Sequence, residues 1–187
     1  MSFSLTVFAP AFPDPIVSPW REALSEHGLV VQIWPGFQPS QWTGGFLPFS
    51  VEVRPNSFPA ANRYGTASLL AGFEIHFHDT DPDDMEKLVA EEHGDISTIL
   101  RTARSEATLM TSRGRSALDL RLQSFAAATL ATVAKGLVLD AQQGRCFRGL
   151  EAIANAKRES DRFDAQSDPN DYYIAPFPGW TVLEPGQ

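Results

Sequence analysis

Cysteine is almost absent. Cys146 is the only one among 187 residues, so the chain can form no internal disulfide and no cysteine cluster for zinc. A lone thiol suits a reducing compartment, and a cytoplasmic location is the expectation. Long apolar runs are missing as well. The most apolar stretch, Phe125 to Leu139, is alanine-rich, carries Lys135 and Gly136, and falls short of the roughly 20 apolar residues a membrane-spanning helix needs. The opening MSFSLTVFAPAFPDP has no basic stretch and is broken by Pro10, Pro13 and Pro15, so neither a signal nor a transit peptide is expected. Positive charge is scarce. With 15 Lys and Arg against 23 Asp and Glu, the formal charge is −8, which repels a phosphate backbone and favours a basic partner.

The motifs of common chemistries are equally scarce. No Gly-x-Ser-x-Gly turn, Ser-x-x-Lys or Cys–His pairing marks a nucleophile. Gly44-Gly45 lacks the flanking glycines and the lysine of a phosphate loop. Two histidines separated by one residue, in His76-Phe-His78-Asp79-Thr-Asp81, project from one face of a strand and offer the best metal candidate. The spacing departs from His-x-His-x-Asp-His, and only His27 and His93 remain to complete a site. The sequence therefore leads us to expect no metal, no cofactor and no catalytic residue. An enzyme using His76 and His78 with nearby acids is the alternative.

What is present is the balance of a globular chain, 43% hydrophobic and 20% charged, about the size of one domain. Strands are expected at Phe3 to Phe8, Leu29 to Trp34, Phe46 to Val53 and Gly72 to His78. Ser18 and Pro19 read as the start of a helix over Trp20 to His27, stopped by Gly28. Asp81 caps an acidic helix beginning at Pro82, and residues 95–110 read as helix, then strand. Ser116 and Asp119 form a capping pair ahead of Leu118, Leu122, Phe125, Leu130 and Val133, the stripe of a central packing helix that Gly136 ends. Leu137 to Leu139 and Arg145 to Phe147 pair around a turn, and a last helix follows from Gly149 to about Arg162. From about residue 168 to 187 the chain is proline-rich and aromatic, too irregular for regular structure and too apolar for a free tail. The pattern describes one α+β domain over 1–187, with an antiparallel or mixed sheet packed against a few helices.

The strongest charge feature runs from Glu74 to Asp95, with nine carboxylates and the single Lys87. Clustered negative charge steers association with a basic protein. Asp79, Asp81, Asp83, Asp84, Glu86, Glu91 and Glu92 are therefore the candidate partner-binding residues, with Trp42 and Trp180 as apolar anchors. The arginines at 101, 104, 113, 115 and 121 make a basic stretch, but Glu106 and Asp119 interrupt it and no aromatic ladder accompanies it. It reads as a solvated face or as internal pairing with the acidic helix, and nucleic acid is not the expected ligand. Cys146, beside Phe147, reads as a buried inert thiol.

Arg115 to Phe147, RSALDLRLQSFAAATLATVAKGLVLDAQQGRCF, is similar to a pattern in small bacterial α+β proteins: an alanine-rich helix, a glycine, an apolar strand ending in aspartate, and a polar glycine turn. Several of these look like immunity proteins, which bind and silence toxins used in competition between bacteria. The resemblance implies a non-enzymatic toxin inhibitor and assigns no site residue. An assembly protein of a phage or secretion system is a further alternative.

Overall fold

Apolar alternation and helix caps set the elements of the computed structural model, which describes residues 3–111, 116–172 and 174–183. Strand β1 (Phe3–Ala9) is followed by helix α1 (Val17–Ser25) and strand β2 (Leu29–Ile33). Gly28, at φ +85°, makes the turn between them. Ser18 and Pro19 lie inside α1 rather than ahead of it. The helix begins three residues before the expected Trp20 because a 3-10 turn over Asp14–Ile16 feeds into it, ends at Ser25 rather than His27, and Ser18 Oγ bonds Glu22 instead of capping.

Strands β3 (Gly45–Val53) and β4 (Leu69–Asp79) come next, then α2 (Pro82–Glu91), α3 (Gly94–Thr102) and β5 (Ser105–Thr111). Strand β4 starts ahead of the expected Gly72, because Leu69 to Ala71 pair with Val51 to Phe49 of β3. Helix α4 (Ala117–Val133), the hairpin of β6 (Leu137–Asp140) and β7 (Arg145–Phe147), and α5 (Gly149–Gln166) complete the regular structure. All pairings are antiparallel, in one seven-stranded sheet ordered β2-β3-β4-β5-β1-β6-β7. The fold is α+β.

One face of the sheet carries Leu5, Val7, Val31, Phe49, Phe73, Ile75 and Leu109, all in the main core with α1, α4 and α5. Helix α4 is buried from Ala117 to Ala131 except at half-buried Leu120. Its small residues Ala126, Ala127, Ala128 and Ala131 let its neighbours approach, and Trp20 Nε1 of α1 donates to the Ala126 carbonyl at 3.0 Å. The expected capping box is present, Ser116 Oγ accepting from the Asp119 amide while Asp119 accepts from the Ser116 amide. Gly136 follows α4 where the Phe8 carbonyl passes so close that a Cβ would collide with it.

The opposite face is covered at one end by α2 and α3. Met85, Leu100 and Ala103 pack there on Phe8 and Leu137, with Leu139 and Cys146 alongside. The C-terminal segment lies against the body, as its composition suggests. The Leu70 amide donates to the Ala175 carbonyl at 2.9 Å and the Phe177 amide to the Ser68 carbonyl at 2.9 Å. Among the described residues no helix is long and apolar enough to cross a membrane.

Phe125, 3% exposed, stacks on His27 with ring centroids 4.8 Å apart. Phe125→Ala is expected to cost about 3–5 kcal/mol through lost burial and a residual cavity, read as a lower denaturant midpoint at unchanged slope.

Candidate functional site

The acidic segment begins where β4 leaves the sheet. Asp81 caps α2, its Oδ1 accepting from the amides of Asp83 at 2.8 Å and Asp84 at 3.4 Å. Pro82 occupies the first helical position, which needs no donor. Met85 turns inward, while Asp79, Asp81, Asp83, Asp84, Glu86 and Glu91 are exposed. Lys87 Nζ lies 2.7 Å from Asp84, an exposed pair of small energetic weight. At the start of α3, Asp95 meets Arg148 at 2.6 Å.

Between α2 and α3 runs an open groove. Met85, Val89, Leu100 and Ala103 supply its apolar wall, and Asp79, Glu86, Arg101 and Arg104 its charged rim. Arg104 folds back on the end of α3, donating from Nη1 to the carbonyls of Arg101 and Ala103. This cation satisfies carbonyls that a helix end leaves open.

The other expected partner-binding residues lie elsewhere. Glu92 is half-buried and hydrogen-bonded to Cys146. Trp42 is half-buried too, its Nε1 donating to the Ile75 carbonyl at 3.1 Å and its ring tilted against Trp34 and edge-on to Phe37. Trp180 packs edge-on against Phe177 and lines a second groove with Trp34 and Arg21, in which no residue of α2 takes part.

His76 and His78 project from the face of β4 opposite the main core, their rings parallel and 6.3 Å apart. His78 stands across from Glu106 of β5, whose carboxyl is pushed up by burial, with His78 opposing the shift. Among the described residues no group of three or more His, Cys, Asp and Glu side chains is placed to hold a metal ion. Burial, with the negative charge of Glu92 beside it, pushes the Cys146 thiol up to about 12. The native protein is therefore expected to react slowly with a thiol reagent at mildly alkaline pH and rapidly once denatured.

A buried ionic cluster escaped the sequence reading. Arg121 of α4 is 2% exposed and lies 2.6 Å from both Asp161 and Asp164 of α5. Its guanidinium sits 3.8 Å above the Phe58 ring. It belongs neither to a solvated basic face nor to a pairing with α2, because its position inside the stripe of α4 points it at α5. Arg113 and Arg115 lie outside the described residues. A cation flanked by Leu118, Leu122 and Phe125 was the available signal, since such a residue needs a buried counter-ion, and Asp161 and Asp164 share one helix face.

The cluster is tightly enclosed. Arg121 Nε, Asp164 Oδ1, Tyr64 Oη and Ser160 Oγ are buried with no partner among the described residues. Burial holds the Asp164 carboxyl above its usual range despite Arg121. Burial also opposes ionisation of Asp161, but hydrogen bonds from Lys157 and Arg121 outweigh it and hold that carboxyl low. Burial, reinforced by the Asp164 charge, pushes the Tyr64 hydroxyl far up. The arrangement locks α4 to α5 and to the loop between β3 and β4.

Compared with family models, curated proteins and solved structures, the chain matches none.

Arg121→Met is expected to cost about 3–5 kcal/mol near neutral pH by leaving the buried Asp164 carboxylate without its counter-ion, while half-buried Asp161 keeps Lys157. Without the guanidinium the folded state prefers protonated Asp164, so folding takes up a proton and the deficit shrinks as pH falls through the raised value. Urea midpoints of both proteins across a mildly acidic series check this.

Proposed function

We propose that this chain is a non-enzymatic protein-binding domain of the immunity type, engaging a basic toxin or effector through the layer formed by α2 and α3. The observation that carries the reading is the coincidence, on one face, of an open apolar groove with exposed carboxylates beside it. Apolar side chains of the partner occupy the groove beside Met85 and Val89. Its lysines and arginines meet Asp79, Asp81, Asp83, Asp84 and Glu86. Such a division of labour gives affinity from buried apolar contact and a fast, salt-dependent approach from charge. The similarity of Arg115 to Phe147 to immunity proteins supports the same reading.

The test reverses charge where it is not needed for folding. Asp83, Asp84 and Glu86 are exposed, so changing all three to lysine is expected to leave the melting temperature nearly unchanged. Once affinity capture and mass spectrometry have identified a partner, the triple variant should associate more slowly than wild type, with a flatter salt dependence. Co-expression of the wild-type chain should relieve the partner's toxicity, and the variant should do so less well. Unchanged rates and an unchanged salt slope would overturn the assignment of this surface.

A further inference from the structure

Strand β4 outruns its neighbour. Strand β5 pairs with β4 only from Glu74 to Asp79, so the five residues from Leu69 to Phe73 have no β5 partner on that side. The backbone groups that face this gap are met by other means. The Gly72 amide donates to Asp119 at 2.9 Å, while the Leu70 amide and the Ser68 carbonyl bond the Ala175 carbonyl and the Phe177 amide of the C-terminal segment. Ala175 and Phe177 thus turn their bonding groups to β4. Pro176, which stands opposite Leu69 in the same antiparallel bridge, turns its nitrogen outward, and Pro178 takes the next outward place. Neither has an N–H to offer, and proline so placed blunts an edge against a further strand. The segment then crosses the sheet. Phe177 is bonded beside Ser68, whereas Trp180 lies with Gln32 and Trp34 at β2. The chain between them therefore passes over the face opposite the main core, where Ser50 of β3 is 6% exposed. Its hold is light. Phe177 and Trp180 are only half-buried, Ala175, Pro176, Pro178 and Thr181 are exposed, and Val182 is 67% exposed.

We propose that residues 175–183 are a detachable guard of this sheet edge. Closed, the guard ends the sheet beside β4 in prolines and keeps the chain a monomer. It is rooted at Ile174, which packs on the main core. Lifted, it uncovers the Leu70 amide and the Ser68 carbonyl while the sheet stays folded, because Gly72 keeps Asp119 and the overhang keeps its pairing with β3. Opening of this kind is local, since few bonds and little buried apolar surface are lost. The uncovered edge is complementary to itself about Leu69. In an antiparallel pair of two copies, the Leu70 amide of each meets the Ser68 carbonyl of the other, so the species held off by the closed guard is a second copy of this chain. The edge takes no part in the α2 and α3 layer and is independent of the function proposed above.

Hydrogen exchange of the full chain should show the Leu70 and Phe177 amides opening together, at least about tenfold faster than those of Phe73 and Leu109 in the same sheet. Sedimentation over a concentration series should give the mass of one chain throughout. Phe177→Asp with Trp180→Asp lifts the guard, and should speed exchange at Leu70 and give twice the chain mass at high concentration, with the fold checked by circular dichroism. Pro176→Val with Pro178→Val leaves the guard in place but restores donors to its outer side. This variant should also associate, a test that does not depend on a disruptive change. Leu70 and Phe177 amides that exchange only when the whole sheet unfolds would overturn the proposal. So would a wild type that dimerises, a lifted variant that stays monomeric, or a valine variant that does so.

Discussion

Enclosure of α4 is the constraint on which the rest depends. A helix buried along most of its length must find partners for the polar side chains it carries, because an unpaired buried group costs more than an ordinary hydrogen bond contributes. Gln123 donates to the carbonyls of Phe3 and Leu109 and accepts from Thr111. Asp119 accepts from the Gly72 amide at 2.9 Å, beyond the last paired residues of β4 and β5. The central helix thus satisfies backbone groups at the sheet end while its alanines admit Trp20 and α5.

This arrangement leaves the two faces of the sheet unequal. The main core gathers on the side of α1, α4 and α5, whereas α2 and α3 cover only the β1 and β6 end of the other side through a small cluster around Phe8 and Leu100. Charge follows from this. The acidic residues of α2 need not contribute to packing and stay in water, and the one buried guanidinium among the described residues, that of Arg121, sits where carboxylates from α5 neutralise it. Asp140, which ends β6, is likewise structural. It accepts from the amides of Gln142 and Gln143 and so holds the hairpin turn.

Local signals are the part of this structure that the sequence determined. Ser116 with Asp119, Asp81 with Pro82, and the alternation in β1, β3 and β4 depend on neighbours within a few residues, so the elements and the α+β class follow from the chain itself. The outward carboxylates of α2 were legible for the same reason. What only the tertiary structure decided involves partners far apart in sequence. Arg121 finds Asp161 and Asp164 only when α5 packs on α4. Trp42 is held against the core only when Ile75 offers its carbonyl. The strand order, which puts β2 and β7 at the two ends of the sheet, follows from long-range pairing. A residue's type states what it requires, and the packing of distant elements decides which group supplies it.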